Sequence, residues 1–173
     1  TKTEIRDPLL KLTTINYNTN GMPTSITDPN LNTTTFLYEN TGKPAEITKV
    51  KDMLNNTYSL GYDSIGRLET VTDANNKTTI YTYDGHDRII EVKDPMDFIT
   101  RYTYGVTGNL LTVTDAKGQT IRYEYDERDR AKKMIDQLGR IETYTYYTGS
   151  EITPLTGDNL KSVTDRKGQV TTF

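Results

Sequence analysis

Residues Tyr62–Asp84 read YDSIGRLETVTDANNKTTIYTYD, and this stretch is the unit from which the chain is built. Its anchor tyrosine recurs at Tyr17, Tyr38, Tyr62, Tyr83, Tyr104, Tyr125 and Tyr146, every 21 residues except for an interval of 24 between Tyr38 and Tyr62. An aspartate keeps the same register at Asp7, Asp28, Asp52, Asp73, Asp94, Asp115, Asp136 and Asp165. A fixed period of this length is the mark of a repeat architecture, in which each unit buries its apolar side against its neighbours. The expected organisation is one array over residues 1–173 of about seven 21-residue repeats.

Each unit reads as two short strands. In Lys77–Tyr83, KTTIYTY, strand formers dominate and the aromatic residues alternate, Tyr81 then Tyr83. The same pair of positions holds Tyr102 and Tyr104, Tyr123 and Tyr125, Tyr144 and Tyr146, with Phe36 and Leu60 standing in earlier. Residues two apart share a face of a strand, so neighbouring units lay these rings in ladders across the sheet. The turns after the anchors carry aspartate at Asp63, Asp84 and Asp126, which bonds its own backbone, and glycine or aspartate four residues after the anchor, at Gly21, Gly42, Gly66, Asp87, Gly108 and Asp129. In the second strand, Leu68 and Val71 are three apart and would face opposite ways, so a bulge or bend is expected there to restore register and curve the sheet. The whole predicts an all-β fold: an antiparallel meander of β-hairpins in one curved repeat sheet, with roughly fourteen strands. Two length departures read as loops, three extra residues between Ile47 and Asp52 and an extended hairpin loop over Thr148–Gly157.

Composition agrees with a layer rather than a centre. Only 33% of the chain is hydrophobic, with 13 tyrosines counted in, and no cysteine is available for a disulfide frame or a thiolate metal site. The 24 acidic and 21 basic residues alternate in sign, which gives no basic face for nucleic acid or an anionic membrane. No stretch approaches the ~20 apolar residues of a membrane helix, and residues 1–7 hold no secretion signal. The phase of the repeat, with Ile5 and Asp7 in mid-unit and Phe173 eight after Asp165, predicts a piece excised from a longer array.

The residues offer little catalytic chemistry. His86 is the only histidine, so no Ser-His-Asp or multi-histidine metal site can be assembled. The carboxylates Asp84 and Asp87, and Asp126, Glu127 and Asp129, recur in equivalent turns and read as turn chemistry rather than as a glycosidase pair. Turns such as Asp73-Ala-Asn-Asn76 bring too few ligands for calcium. The basic residues Arg128, Arg130, Lys132 and Lys133 are interleaved with acids, as on a solvated face. No catalytic, cofactor or metal residue is assigned, and the chain is read as no enzyme.

The pattern resembles the YD repeat, also called the RHS repeat, whose mark is Tyr-Asp followed by Gly-Arg-Leu and a later Asp-x-x-Gly. Here it stands as Tyr62-Asp63 with Gly66-Arg67-Leu68, Tyr83-Asp84 with Arg88-Ile89, Tyr125-Asp126 with Arg130, and Asp115-x-x-Gly118, Asp136-x-x-Gly139 and Asp165-x-x-Gly168. The first two repeats depart from it, with Asn18 and Glu39 for the aspartate and Pro23 and Pro44 for the leucine. By that resemblance the structural repeat residues are Tyr62, Asp63, Gly66, Arg67, Leu68, Asp73, Tyr81, Tyr83, Asp84, Tyr102, Tyr104, Asp115, Gly118, Tyr123, Tyr125, Asp126, Asp136, Gly139, Tyr144 and Tyr146.

Such arrays wind a strip of β-hairpins into a hollow shell, which in bacterial toxins encloses a C-terminal effector. The resemblance therefore implies a non-catalytic wall segment of a secreted or cell-surface bacterial protein. Its implied partners are the neighbouring repeats of the parent chain and an enclosed effector, with edge-to-edge pairing between copies of the piece as another expected contact. The release segment that follows the last repeat in such toxins has no match here; Asp28-Pro29 and Asp94-Pro95 are repeat turns without its context. The alternative is a module whose tyrosine rows stack on cell-wall glycan. Wall-binding repeats of this length usually carry tryptophan, and this chain has none.

Overall fold

The structure is a computed structural model that describes residues 1–148 and 159–173. Its described residues form sixteen strands and no helix, hydrogen-bonded in chain order in one open antiparallel sheet. The first eight are β1 (Lys2–Arg6), β2 (Leu12–Tyr17), β3 (Pro23–Thr27), β4 (Thr33–Leu37), β5 (Lys49–Lys51), β6 (Thr57–Tyr62), β7 (Leu68–Thr72) and β8 (Thr78–Tyr83). The rest are β9 (Ile89–Lys93), β10 (Ile99–Tyr104), β11 (Leu110–Thr114), β12 (Thr120–Tyr125), β13 (Ala131–Ile135), β14 (Ile141–Tyr146), β15 (Leu160–Thr164) and β16 (Val170–Thr172). Sixteen replaces the expected fourteen because the part-repeats at either end each add a strand, β1 and β16. The chain divides into two units, Thr1–Thr82 with Lys93–Met96, and Tyr83–Val92 with Asp97–Phe173.

Within each unit the pleat sorts the side chains into two unlike faces. In the first, Tyr62 stands opposite Leu68 and Leu60 opposite Val71, while Ser59 meets Thr72 and Gly61 meets Thr70 on the other side. In the second, Tyr102 meets Val113, Tyr123 meets Met134 and Tyr144 meets Val163 on the aromatic face. The opposite face carries, beside the apolar pair Ile135 and Ile141, hydroxyls and charges whose cross-strand pairs are bonded: Thr103 to Thr112 and Thr145 to Ser162 at 2.7 Å, Thr114 to Thr120 at 2.9 Å, and Lys133 to Glu124 at 3.1 Å. Such pairs are the unit of sheet stabilisation.

The expected bulge is present and recurs. Tyr62 pairs with Leu68 but Gly61 with Thr70, so Glu69 is the extra residue. Thr24, Leu111, Lys132 and Lys161 are passed over in the same way opposite Tyr17, Tyr104, Tyr125 and Tyr146. One added residue turns a three-residue spacing into two positions on one face, which is how Leu68 and Val71 both reach the tyrosine side.

The first insertion lies elsewhere than its sequence reading. Phe36 pairs with Val50 and Leu37 with Lys49, so Val50 holds the position of Val71, and the three extra residues sit in the turn after Tyr38 rather than between Ile47 and Asp52. Where Asp63, Asp84 and Asp126 open their turns, Glu39 stands here, and its backbone N–H instead reaches Thr48 Oγ1 at 3.0 Å. Gly42 is absent from the left-handed region that the turn glycines Gly21, Gly66 and Gly108 occupy. The loop read at 148–157 falls, apart from Thr148, outside the described residues.

No apolar side chain among the described residues is fully buried, and Asp136, 2% exposed, is the only residue of any kind that is. Strand contacts within each unit run between chain neighbours. This is the energetic pattern of a quasi-one-dimensional array, where stability is a sum of repeat and nearest-neighbour terms.

Candidate functional site

The recurrent site is the junction between one repeat and the next, and it is built from the turns. Asp63 Oδ1 accepts the backbone N–H of Ile65 at 3.0 Å and of Arg67 at 2.9 Å, the Gly66 N–H donates to the Asp63 carbonyl at 3.1 Å, and the Asp63 N–H donates to the Arg67 carbonyl at 2.9 Å. Asp115 makes the same four bonds with Lys117, Gln119 and Gly118, at 2.8 to 3.0 Å. The turn after the tyrosine and the turn after the second strand are therefore one structure, a three-residue hairpin loop with its last residue left-handed. That residue is Gly66, Asp87, Gly108 or Asp129 in one row and Asn76, Asp97, Gly118 or Gly139 in the other, with φ between 59° and 95°.

In both rows the fourth residue after the aspartate adds a side-chain bond to the carboxylate. Arg67, Arg88 and Arg130 each donate Nε to the second carboxylate oxygen of Asp63, Asp84 and Asp126, at 2.7, 2.7 and 2.8 Å. In the other row Asn32 and Asn56 do so through Nδ2 at 2.9 and 2.8 Å, and Arg140 through Nε at 2.7 Å. The Arg88 guanidinium, fixed by Asp84, lies 4.7 Å from the centre of the Tyr104 ring, and that of Arg130 lies 4.3 Å from Tyr146. Each of these tyrosines belongs to the next repeat. Its hydroxyl donates back to a backbone carbonyl of the repeat before: Tyr104 to Ile89 at 2.8 Å, Tyr125 to Leu110 at 2.8 Å and Tyr146 to Ala131 at 2.7 Å, and in the first unit Tyr62 to Ile47 at 2.9 Å and Tyr38 to Pro23 at 2.8 Å. In the second unit those acceptors, Ile89, Leu110 and Ala131, all begin a second strand. Leu110 and Ala131 are also the residues at which the bulge interrupts the ladder and a carbonyl needs another donor.

The charges follow from these contacts. Hydrogen bonds from Arg88 and from the backbone of His86 and Arg88 hold the Asp84 carboxyl down at about 2, against its partial burial; Arg130 and its turn do the same for Asp126, also at about 2. Asp63 is lowered by the Arg67 backbone and side chain, and Asp28 and Asp52 chiefly by the side chains of Asn32 and Asn56. Burial raises Asp136, but the bonds from Arg140 and the turn amides outweigh it and its carboxyl stays below the ordinary range. Burial likewise raises the Tyr38, Tyr62 and Tyr125 hydroxyls. Tyr144, half-buried and bonded to Glu142 at 2.6 Å, is pushed up to about 12.

The residues read from the sequence fall into place around this junction. Tyr62 and Tyr81 lie on the aromatic face of the first unit and Tyr83, Tyr102, Tyr104, Tyr123, Tyr125, Tyr144 and Tyr146 on that of the second, Asp63, Asp84 and Asp126 open turns that follow an anchor tyrosine, and Asp73, Asp115 and Asp136 open turns that follow a second strand. Gly66, Gly118 and Gly139 supply the left-handed residue, Arg67 binds Asp63, and Leu68 begins the bulge. Sequence reasoning missed the arginine over the next tyrosine and the carbonyl that each hydroxyl meets. The signal for the first was present as Asp-x-x-x-Arg at 84–88 and 126–130, each with a tyrosine 16 residues after the arginine.

Open grooves run between consecutive turns: one of about 500 Å³ beside His86, Arg88, Tyr104 and Val106, and one of about 510 Å³ beside Leu31, Leu37, Lys51 and Met53. His86 is exposed in its turn, its backbone N–H bonded to Asp84. Among the described residues no three His, Cys, Asp or Glu side chains are placed to hold a metal ion.

The family model described as RHS Repeat matches residues 62–95, 85–120 and 106–141. Residues 62–141 thus match the RHS repeat. The fold is similar to that of stretches of solved Tc toxin structures. One is the Tc holotoxin pore of Photorhabdus luminescens, with a TM-score of 0.67 at 17% identity over 89% of this chain and 9% of that one. Others are TcdB2-TccC3 without its hypervariable C-terminal region, at 0.67 and 18% over 94% of this chain and 10% of that one, and TcdB2-TccC3-Cdc42, at 0.61 and 16% over 93% and 9%. The chain spans about a tenth of the length of the structures it matches. No curated protein sequence matches it.

Proposed function

We propose that this chain is a non-catalytic wall segment of an RHS-repeat shell, one array of about seven repeats within a longer bacterial protein that is secreted or displayed at the cell surface. The shell would enclose or display a C-terminal toxin effector. The observation that carries this reading is the junction itself. Asp84, Arg88 and Tyr104, and Asp126, Arg130 and Tyr146, spend their charge, ring face and hydroxyl on joining one repeat to the next. Every structural repeat residue named from the sequence is assigned that role, and none a chemical step. A one-layer sheet with no buried apolar side chain among its described residues draws its stability from neighbouring repeats, and the partners of this segment are the adjoining repeats of the parent chain.

The similarity of fold to the Tc structures supports the same assignment. Electron microscopy of the full parent polypeptide tests it. A hollow particle with density inside is the expected result, and an open rod or ribbon without a lumen overturns the shell reading. The glycan-binding alternative requires free ring faces, and Tyr104 and Tyr146 each have one face under a guanidinium.

A further inference from the structure

The left-handed residue of each aspartate-row turn is glycine, asparagine or aspartate at 55, 76, 97, 118, 139 and 168, and leucine at 10 and 31. Leu10 has φ 61° and Leu31 φ 67°. A bulky residue there is strained, since its Cβ crowds the carbonyl. Neither leucine recovers that cost by packing, because Leu10 is 74% exposed and Leu31 83%. Strain held in place at an exposed apolar side chain points to a use for that side chain.

The two leucines are not alone. Leu9, next to Leu10, is 77% exposed, and in the following turn Met53 and Leu54 are 56% and 70% exposed. All five lie in the first unit, on the three successive turns Asp7–Lys11, Asp28–Asn32 and Asp52–Asn56, which an antiparallel meander sets along one rim about 10 Å apart. The backbone donors of these turns are already taken by the Asp7, Asp28 and Asp52 carboxylates, so the rim offers a partner apolar side chains and no strand edge.

We propose that this rim docks a second copy of the chain, turn row against turn row about a two-fold axis. Together the five side chains expose on the order of 600 Å² of apolar surface, at the upper end of what a monomer keeps uncovered. Paired with its own copy the row buries about 1,200 Å², the lower bound of a specific interface, which fits a reversible dimer. A two-fold axis also makes the patch its own complement, as an isologous contact requires.

The test is sedimentation of the full chain across micromolar to millimolar concentration, beside the double variant Leu10→Asn, Leu31→Asn. Asparagine is the residue the repeat itself uses at positions 55 and 76, so the variant keeps the turn and loses the strain. The wild type is expected to dimerise reversibly, and the variant to dissociate at least about a hundredfold more readily. At concentrations where both are monomeric, the variant is expected to melt no lower than the wild type. A wild type monomeric at millimolar concentration, or one that captures apolar vesicles in place of itself, overturns the proposal. So does a variant that dimerises as well as the wild type, which is the outcome if copies join through their end strands β1 and β16. A monomeric variant that melts lower removes the strain argument and the proposal with it.

Discussion

Replacing Tyr104 by phenylalanine removes one oxygen and tests the junction directly. The hydroxyl donates at 2.8 Å to the Ile89 carbonyl, at the start of the second strand of the preceding repeat, and the ring stays beneath Arg88 at 4.7 Å. A net intramolecular hydrogen bond is worth about 0.5–1.5 kcal/mol, and leaving a part-buried carbonyl without its donor adds to that, so the expected loss is about 1–2 kcal/mol. Tyr102 is the control. It lies on the same face two residues earlier and its hydroxyl has no hydrogen bond to a described residue, so Tyr102→Phe should cost less than about 0.5 kcal/mol. With 13 tyrosines and no tryptophan, urea unfolding can be followed by tyrosine emission and by circular dichroism together. The slope with urea should be unchanged and the midpoint lowered for Tyr104→Phe alone. Equal losses in the two variants, or none in either, would refute the assignment of the anchor hydroxyl to the repeat junction.

Two other measurements bear on the turns. Asp84 and Asp126 titrate at about 2 in the folded chain against an ordinary 3.8, so their stabilisation is complete above about pH 4 and is lost as the pH falls toward 2. The wild-type urea midpoint should drop over that window, and the Asp84→Asn, Asp126→Asn variant should show a flatter profile; parallel profiles would mean that the arginine contacts contribute nothing. Gly118 has φ 79° with open space around an added Cβ, so Gly118→Ala should cost about 1–2 kcal/mol from backbone conformation alone and Gly118→Asn clearly less, read as a difference in melting temperature. An alanine variant as stable as the wild type would remove the left-handed requirement.

Much of this molecule was legible because its repeat leaves few choices. The alternation of Tyr81 with Tyr83 and the tenfold spacing of turns dictate strands, and the misfit between Leu68 and Val71 required the bulge that Glu69 supplies. The slip came where the pattern lost its punctuation. With Glu39 in place of the aspartate, counting forward from Tyr38 put Ile47 where Val71 belongs, whereas counting back from Asp52 gives Val50, the residue that Phe36 faces. Register in a hairpin is set by its turn, so the intact aspartate turn was the better ruler.

The site was less legible than the fold, because its contacts join residues 15 and more apart that no local propensity links. Tyr-Asp and Asp-x-x-Gly read as two motifs, yet they make the same turn, and the fourth residue after the aspartate binds the carboxylate in both, as Arg67 does for Asp63 and Arg140 for Asp136. Arginine at that position gives a planar fork that holds a carboxylate on its edge while its face covers a ring, a pair of tasks that lysine's point charge cannot do together. Hence Arg88 and Arg130 bind their own turn and the next repeat's tyrosine at once. With no apolar side chain buried among its described residues, the sheet has no core to set the position of its repeats, so that position has to come from contacts along the strip, and the anchor tyrosine carries two of them, one through its ring and one through its oxygen.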